Sequence, residues 1–188
     1  MPIILGVMAS SKLSAPQGSF DSIASYVVPA GGVSVITFSS IPQTYAHLQV
    51  RAYGRFSGTV GAGFFKFNNT TGGYTYHSIW TDGGNAFTSG SAGTANEGVW
   101  TGAAGTPTGV PEPFVIDILD YTNTSKNKIA MTYTGWPNFT GSGAAGSSYI
   151  ELASSMWVNT AAINRFDLLP QSYTFAENMT VSLYGIKE

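Results

Sequence analysis

The chain has 188 residues, of which only 10% carry a formal charge, and its net charge is −2. A soluble protein usually carries about 25% charged residues, so either uncharged polar groups solvate this surface or part of the surface is not meant for solvent. The length fits one domain, and the lack of clustered Lys and Arg argues against nucleic-acid binding. The absence of Cys excludes disulfides and thiolate sites, and no apolar run reaches the roughly 18 residues of a transmembrane helix.

Residues 1–19 are predicted to form an N-terminal arm outside the main domain. Their tip holds five bulky apolar side chains: Ile3, Ile4, Leu5, Val7 and Met8. Such side chains gain about 1.5–3 kcal/mol each when fully buried. The tip should therefore pack either as a further strand of this domain or against another subunit.

Residues 20–188 are predicted to be a single all-β domain, because no stretch keeps a helical apolar period without interruption. Alternating apolar and polar residues, bounded by Gly, Pro, Asn and Ser, predict ten strands. These cover residues 23–29, 33–39, 47–56, 63–68, 74–81, 113–121, 128–135, 149–158, 163–169 and 180–186. Such spacing is typical of an antiparallel β-sandwich, here a jelly-roll-like one. The turn at residues 30–32 predicts a hairpin between the first two strands.

Two Gly/Ser-rich segments do not fit the strand pattern. Residues 83–110 are predicted as a long loop with only a brief strand at residues 96–100, and residues 140–148 as a second loop. Loops of this length in a compact domain are usually functional or mobile.

Catalytic chemistry has little support in the sequence. The two histidines, His47 and His77, stand without a nucleophile-elbow sequence. Asp117 and Asp120 lie on opposite faces of one predicted strand and do not form a matched acid/base pair; Asp117 is expected to pair with an arginine. We expect no enzymatic activity, no cofactor and no metal site.

A polar stripe on the third predicted strand is the main candidate site. It consists of Gln49, Arg51, Tyr53 and Arg55. Tyr and Arg are enriched where interfaces carry binding energy. The stripe is therefore either a partner-binding surface or simply the solvated face of an outer sheet.

Several blocks of the sequence resemble a group of tailed-bacteriophage virion proteins. They lie at residues 5–11 (LGVMASS), 35–51 (VITFSSIPQTYAHLQVR), 74–77 (YTYH), 116–121 (IDILDY), 157–163 (WVNTAAI) and 182–187 (SLYGIK). The resemblance implies a jelly-roll structural protein, used as a capsid decoration (cement) protein or in a head or tail fibre, and it supplies no catalytic motif.

On this resemblance we expect a decoration protein on the capsid exterior. Its partners would be the major capsid protein and further copies of itself, most simply in a homotrimer, with no nucleic acid and no membrane. The alternative is a receptor- or glycan-binding module of a fibre. In that case five aromatic side chains would stack on sugars: Tyr74, Tyr76, Trp80, Trp100 and Trp136.

Overall fold

The structure, a computed structural model, describes residues 19–58, 63–81, 85–101, 111–136 and 149–187. These residues form twelve β-strands and no helix, which confirms the predicted all-β class. The strands are β1 (Phe20–Val27), β2 (Ile36–Ser39), β3 (His47–Gly54), β4 (Gly63–Phe67), β5 (Tyr74–Thr81), β6 (Ala86–Ala95), β7 (Gly98–Thr101), β8 (Glu112–Leu119), β9 (Lys128–Trp136), β10 (Tyr149–Trp157), β11 (Arg165–Pro170) and β12 (Thr180–Ile186). No helix long and apolar enough to cross a membrane occurs in these ranges.

The strands form two antiparallel sheets. The large sheet has the order β1-β12-β3-β8-β9-β10-β5-β6, and the small sheet has the order β2-β11-β4-β7. The two sheets pack as a β-sandwich, because each strand directs alternate side chains into the space between them.

The core between the sheets is rich in aromatic rings. Phe65 and Phe67 of the small sheet are fully buried and lie close to Tyr74 and Trp157 of the large sheet. The Tyr74 hydroxyl accepts a hydrogen bond from the Phe67 amide at 2.8 Å. Tyr74 therefore joins the two sheets by packing and by a hydrogen bond, and burial raises its pKa.

The predicted hairpin between the first two strands is wrong. The turn itself exists, since Gly31 and Gly32 have positive φ and the Gly32 amide bonds to the Pro29 carbonyl at 3.1 Å. However, β1 pairs with β12 and β2 pairs with β11. The amides of Val28 and Val33 each bond to the segment 175–179 instead of to each other. The turn therefore carries the chain from the large sheet to the small one.

The predicted long loop at residues 83–110 is also wrong in its described part. Residues 86–95 form β6, which pairs with β5 at the edge of the large sheet. Residues 98–101 form β7, where the sequence predicted a brief strand at residues 96–100. The sequence missed β6 because most of its residues are Gly, Ser, Ala or Thr, which give little contrast between apolar and polar positions.

Candidate interaction surface

The outer face of the large sheet contains most of the predicted polar stripe. Antiparallel register aligns its outward side chains in rows that cross the strands. One row is Ser22, Tyr184, Gln49, Asp117, Met131, Ser154 and His77. The next row is Ser25, Ser182, Arg51, Val115, Tyr133, Leu152 and Ile79. Two flanking rows begin at Phe20 and at Val27.

Only one cation and one anion lie among the described outward side chains of these eight strands. They are Arg51 and Asp117, and Gln49 connects them. Arg51 Nε donates to Gln49 Oε1 at 2.5 Å, and Gln49 Nε2 donates to Asp117 Oδ1 at 2.6 Å. The predicted direct pairing of Asp117 with an arginine is therefore wrong for the described residues, because Gln49 lies between Asp117 and Arg51 and Arg165 pairs with Asp167. The Arg51 guanidinium also lies 5.2 Å from the ring centroids of Phe20 and Tyr184.

Tyr53 and Arg55 stand at the end of this stripe. Tyr53 is 61% exposed on β3, whereas Arg55 follows the strand, which ends at Gly54 instead of at the predicted residue 56. The Arg55 carbonyl accepts the Ala176 amide at 2.8 Å. Both side chains line a shallow cleft of about 270 Å³, together with Glu177. The sequence thus placed three of the four stripe residues on one sheet face.

Bulky apolar side chains cover the other half of the outer face, which the sequence analysis missed. On β9 and β10, Ile129, Tyr133, Ile150 and Leu152 are 40–67% exposed, and Ile79 of β5 is 60% exposed. The alternating neighbours of these residues, such as Glu151, face inward. Hydrophobic alternation alone would have assigned the faces the other way round. The sequence did contain one indication of two apolar faces, because apolar residues stand at both the inward and the outward positions of β9 and β10.

The inner face behind this half contains buried acids. Glu112 and Glu151 are 3% and 2% exposed. Glu112 accepts the Thr134 hydroxyl at 2.6 Å, and the Tyr149 hydroxyl bonds to Glu151 at 2.5 Å. Burial raises the pKa of Glu112 to about 7, with a smaller contribution from the nearby Glu151 charge. These carboxyl groups lie in the interior, so solvent does not reach them.

An aromatic cluster lies at one end of the large sheet. Trp80 stacks on Phe87 at 4.1 Å between ring centroids, and Trp136 stacks on Tyr149 at 4.5 Å. The proposed sugar-stacking role of Tyr74 and Trp136 is wrong, because Tyr74 is fully buried and Trp136 is 6% exposed.

The remaining sugar-stacking candidates differ in their surroundings. Trp80 and Tyr76 are half-buried. The side chain of Trp100 lies outside the described part of the structure.

The two histidines lie on different strands, His47 on β3 and His77 on β5. His47 Nδ1 accepts the Asp120 amide at 3.0 Å, and His77 is exposed on β5. Among the described residues no group of three His, Asp or Glu side chains could hold a metal ion. The tip residues Ile3, Ile4, Leu5, Val7 and Met8 lie outside the described ranges.

Comparison with known proteins does not assign the chain to a family. No protein-family model, curated protein or solved structure matches the chain.

Proposed function

We propose that the protein is a non-enzymatic structural component of a bacteriophage particle, which decorates the capsid exterior and stabilises the shell. The observation that carries this proposal is the outer face of the large sheet. A solvent-facing sheet normally presents many charged side chains, whereas the described part of this one presents a single pair, Arg51 and Asp117, that is already joined through Gln49. A face of this kind suits a surface that is covered in an assembly.

The strand order supports the jelly-roll interpretation that we propose for the sandwich. Four adjacent strands of the eight-stranded large sheet, β1-β12-β3-β8, and the four strands of the small sheet, β2-β11-β4-β7, together give eight strands, with the first strand beside the last. Eight strands in two sheets is the composition of a jelly roll. The pairs β5-β6 and β9-β10 then extend one sheet, and they contribute the apolar half of the outer face.

The mechanism that we propose is mechanical. The polar stripe and the N-terminal arm bind adjacent capsid subunits, and homotrimers place several copies of each contact close together. Multivalency then makes a set of individually weak contacts durable. Bridging of neighbouring subunits would resist the outward pressure of the packaged genome.

The test uses phage particles that lack the chain. We expect such particles to release DNA at a lower temperature than complete particles, and the purified full-length protein to restore release to the original temperature when added back. Quantitative mass spectrometry should find hundreds of copies per complete particle. Labelled protein that is found on the tail alone, or particles whose heat resistance does not depend on the chain, would reject the proposal.

A second candidate function, glycan binding by a fibre, is favoured by one observation. Trp80 of β5 and Phe87 of β6 stack beside the connection between these two strands, and Phe87 is 37% exposed. Aromatic faces of this kind can pack against sugar rings. Binding of a host polysaccharide that disappears in Trp80→Ala, at about a dozen copies per particle, would favour this function over decoration.

A further inference from the structure

We propose that the apolar half of the outer face, formed by Ile79, Ile129, Tyr133, Ile150 and Leu152, binds the same surface of a second copy of this chain. These side chains lie on β5, β9 and β10, and each is at least 40% exposed. No Asp, Glu, Lys or Arg is present among the described outward side chains of these three strands. This inference rests on the proposed function for its setting in a particle, but it can be tested on the isolated protein.

The relief of this surface allows it to fit a copy of itself. Two shallow hollows of about 190 and 300 Å³ lie side by side on it, and Ile79 and Leu152 line both. These two side chains therefore form a ridge between the hollows. In a contact with two-fold symmetry, the ridge of one copy can enter a hollow of the other, and the reverse contact follows by symmetry.

The chemistry of the surface selects the occupant. A partner cannot be recruited here by opposite charge, so the occupant must itself be uncharged and apolar and must match this relief. The same face of another copy meets these conditions. Its sheet also has the same twist, which lets two sheets stack about 10 Å apart with their strands nearly aligned. The edge strand β6 does not obstruct this approach, because its outward residues Ala86, Thr88 and Gly90 are small.

The size of the surface predicts a weak contact. The three strands β9, β10 and β5, each about 4.8 Å wide, and three row spacings of about 6.8 Å give roughly 300 Å² per copy. Interfaces below about 1,200 Å² in total are usually transient. A two-fold contact of this size would join neighbouring oligomers on a shell and differs from the three-fold contact of the proposed trimer.

Sedimentation velocity on the full chain over a wide concentration range tests this contact. We expect reversible association that grows with concentration, and at least a tenfold weaker association in Ile79→Lys and in Ile150→Lys. The matched control is Val27→Lys, because Val27 is 58% exposed on the same face but lies on the opposite edge strand β1. It should associate as the wild type does. Circular dichroism should show that all three variants keep the wild-type fold.

Two results would overturn this inference: a wild-type chain that stays at constant mass up to about millimolar concentration, or association that both lysine variants leave unchanged. These results would not affect the proposed function, which is measured on particles. Conversely, association that the variants abolish, together with absence of the chain from particles, would reject the proposed function alone.

Discussion

The Thr134 hydroxyl donates a hydrogen bond of 2.6 Å to the Glu112 carboxylate, and both side chains are buried between the two sheets. Glu151 lies on the adjacent strand and directly opposite Thr134 in the register of β9 and β10. One hydroxyl donor offsets only part of the cost of removing a carboxylate from water, and a second carboxylate nearby increases that cost. Burial therefore favours the protonated form of Glu112 and raises its pKa to about 7.

The stability of the protein should therefore fall as the pH rises from about 4.5 to 7. The pKa of Glu112 is about 7 in the folded chain, against an ordinary value of 4.5, so between these values the folded chain binds more protons than the unfolded chain. Stability then decreases with increasing pH, by up to about 3 kcal/mol from this group. Urea denaturation at a series of pH values measures the change.

Glu112→Gln provides the control for this pH dependence. The amide keeps an acceptor for Thr134 but cannot ionise. The variant should therefore be more stable than the wild type at pH 8, and its free energy of unfolding should depend much less on pH. A slope that persists unchanged in Glu112→Gln would show that another group causes it.

Lys128 provides a second prediction, because it is a fully buried cation without a carboxylate partner among the described residues. Its ammonium group donates to the carbonyls of Asn123, Lys126 and Thr160, and desolvation lowers its pKa. Lys128→Met keeps the volume but leaves these carbonyls without their donor. We expect a loss of about 2–3 kcal/mol in the free energy of unfolding.

Lys126→Met is the matched control for Lys128. Lys126 forms an exposed ion pair with Asp120 at 2.8 Å, and exposed pairs contribute little. Chemical denaturation should show a clearly larger loss in Lys128→Met than in Lys126→Met. Equal losses would mean that the three carbonyl contacts of Lys128 do not stabilise the fold.

The sequence predicted the strands better than it predicted their partners. Alternation located β3, β5, β8 and β9 within two residues at each end, because each has Gly, Pro or polar residues at its limits. Pairing depends on distant segments, and alternation does not encode it. The amides of Val28 and Val33 bond to residues near position 175, which overrode the local hairpin signal.

The candidate surface was only half predictable. Gln49, Arg51 and Tyr53 were assigned to one face because they alternate with Leu48, Val50 and Ala52. The apolar half was missed because Ile150 and Leu152 point outward while Glu151 points inward. A buried hydrogen-bonded carboxyl group reverses the usual rule: Tyr149, two residues before Glu151 on the same face of β10, bonds to it through its hydroxyl, and both side chains face the interior.

Asn68 supplies a third prediction, at the turn after β4. Its side chain accepts the amides of Asn164 and Arg165 and donates to the Ala162 carbonyl, and its φ is 52°. Asn tolerates this left-handed conformation better than most residues. Asn68→Ala removes all three hydrogen bonds and adds backbone strain, so we expect a loss of about 2–3 kcal/mol in stability.

Asn68→Gly separates the two contributions at this position. Glycine adopts φ 52° without strain but makes no side-chain hydrogen bonds. Thermal or urea unfolding should rank the wild type first, Asn68→Gly second and Asn68→Ala last. An Asn68→Gly variant as stable as the wild type would contradict a role for the hydrogen bonds that tie this turn to residues 162–165.

The polar stripe leads to a final prediction, which concerns binding to particles. Gln49→Glu replaces the donor to Asp117 with a second carboxylate and leaves a net negative charge on the outer face. An unpaired charge is costly only when the partner removes it from water. We therefore expect little change in the thermal stability of the isolated protein, but at least a tenfold loss of affinity for particles that lack the chain.

The control is Ser39→Glu, which adds the same charge on the exposed side of the small sheet and should bind to particles as the wild type does. Wild-type affinity in Gln49→Glu would show that the stripe remains in contact with solvent in the particle.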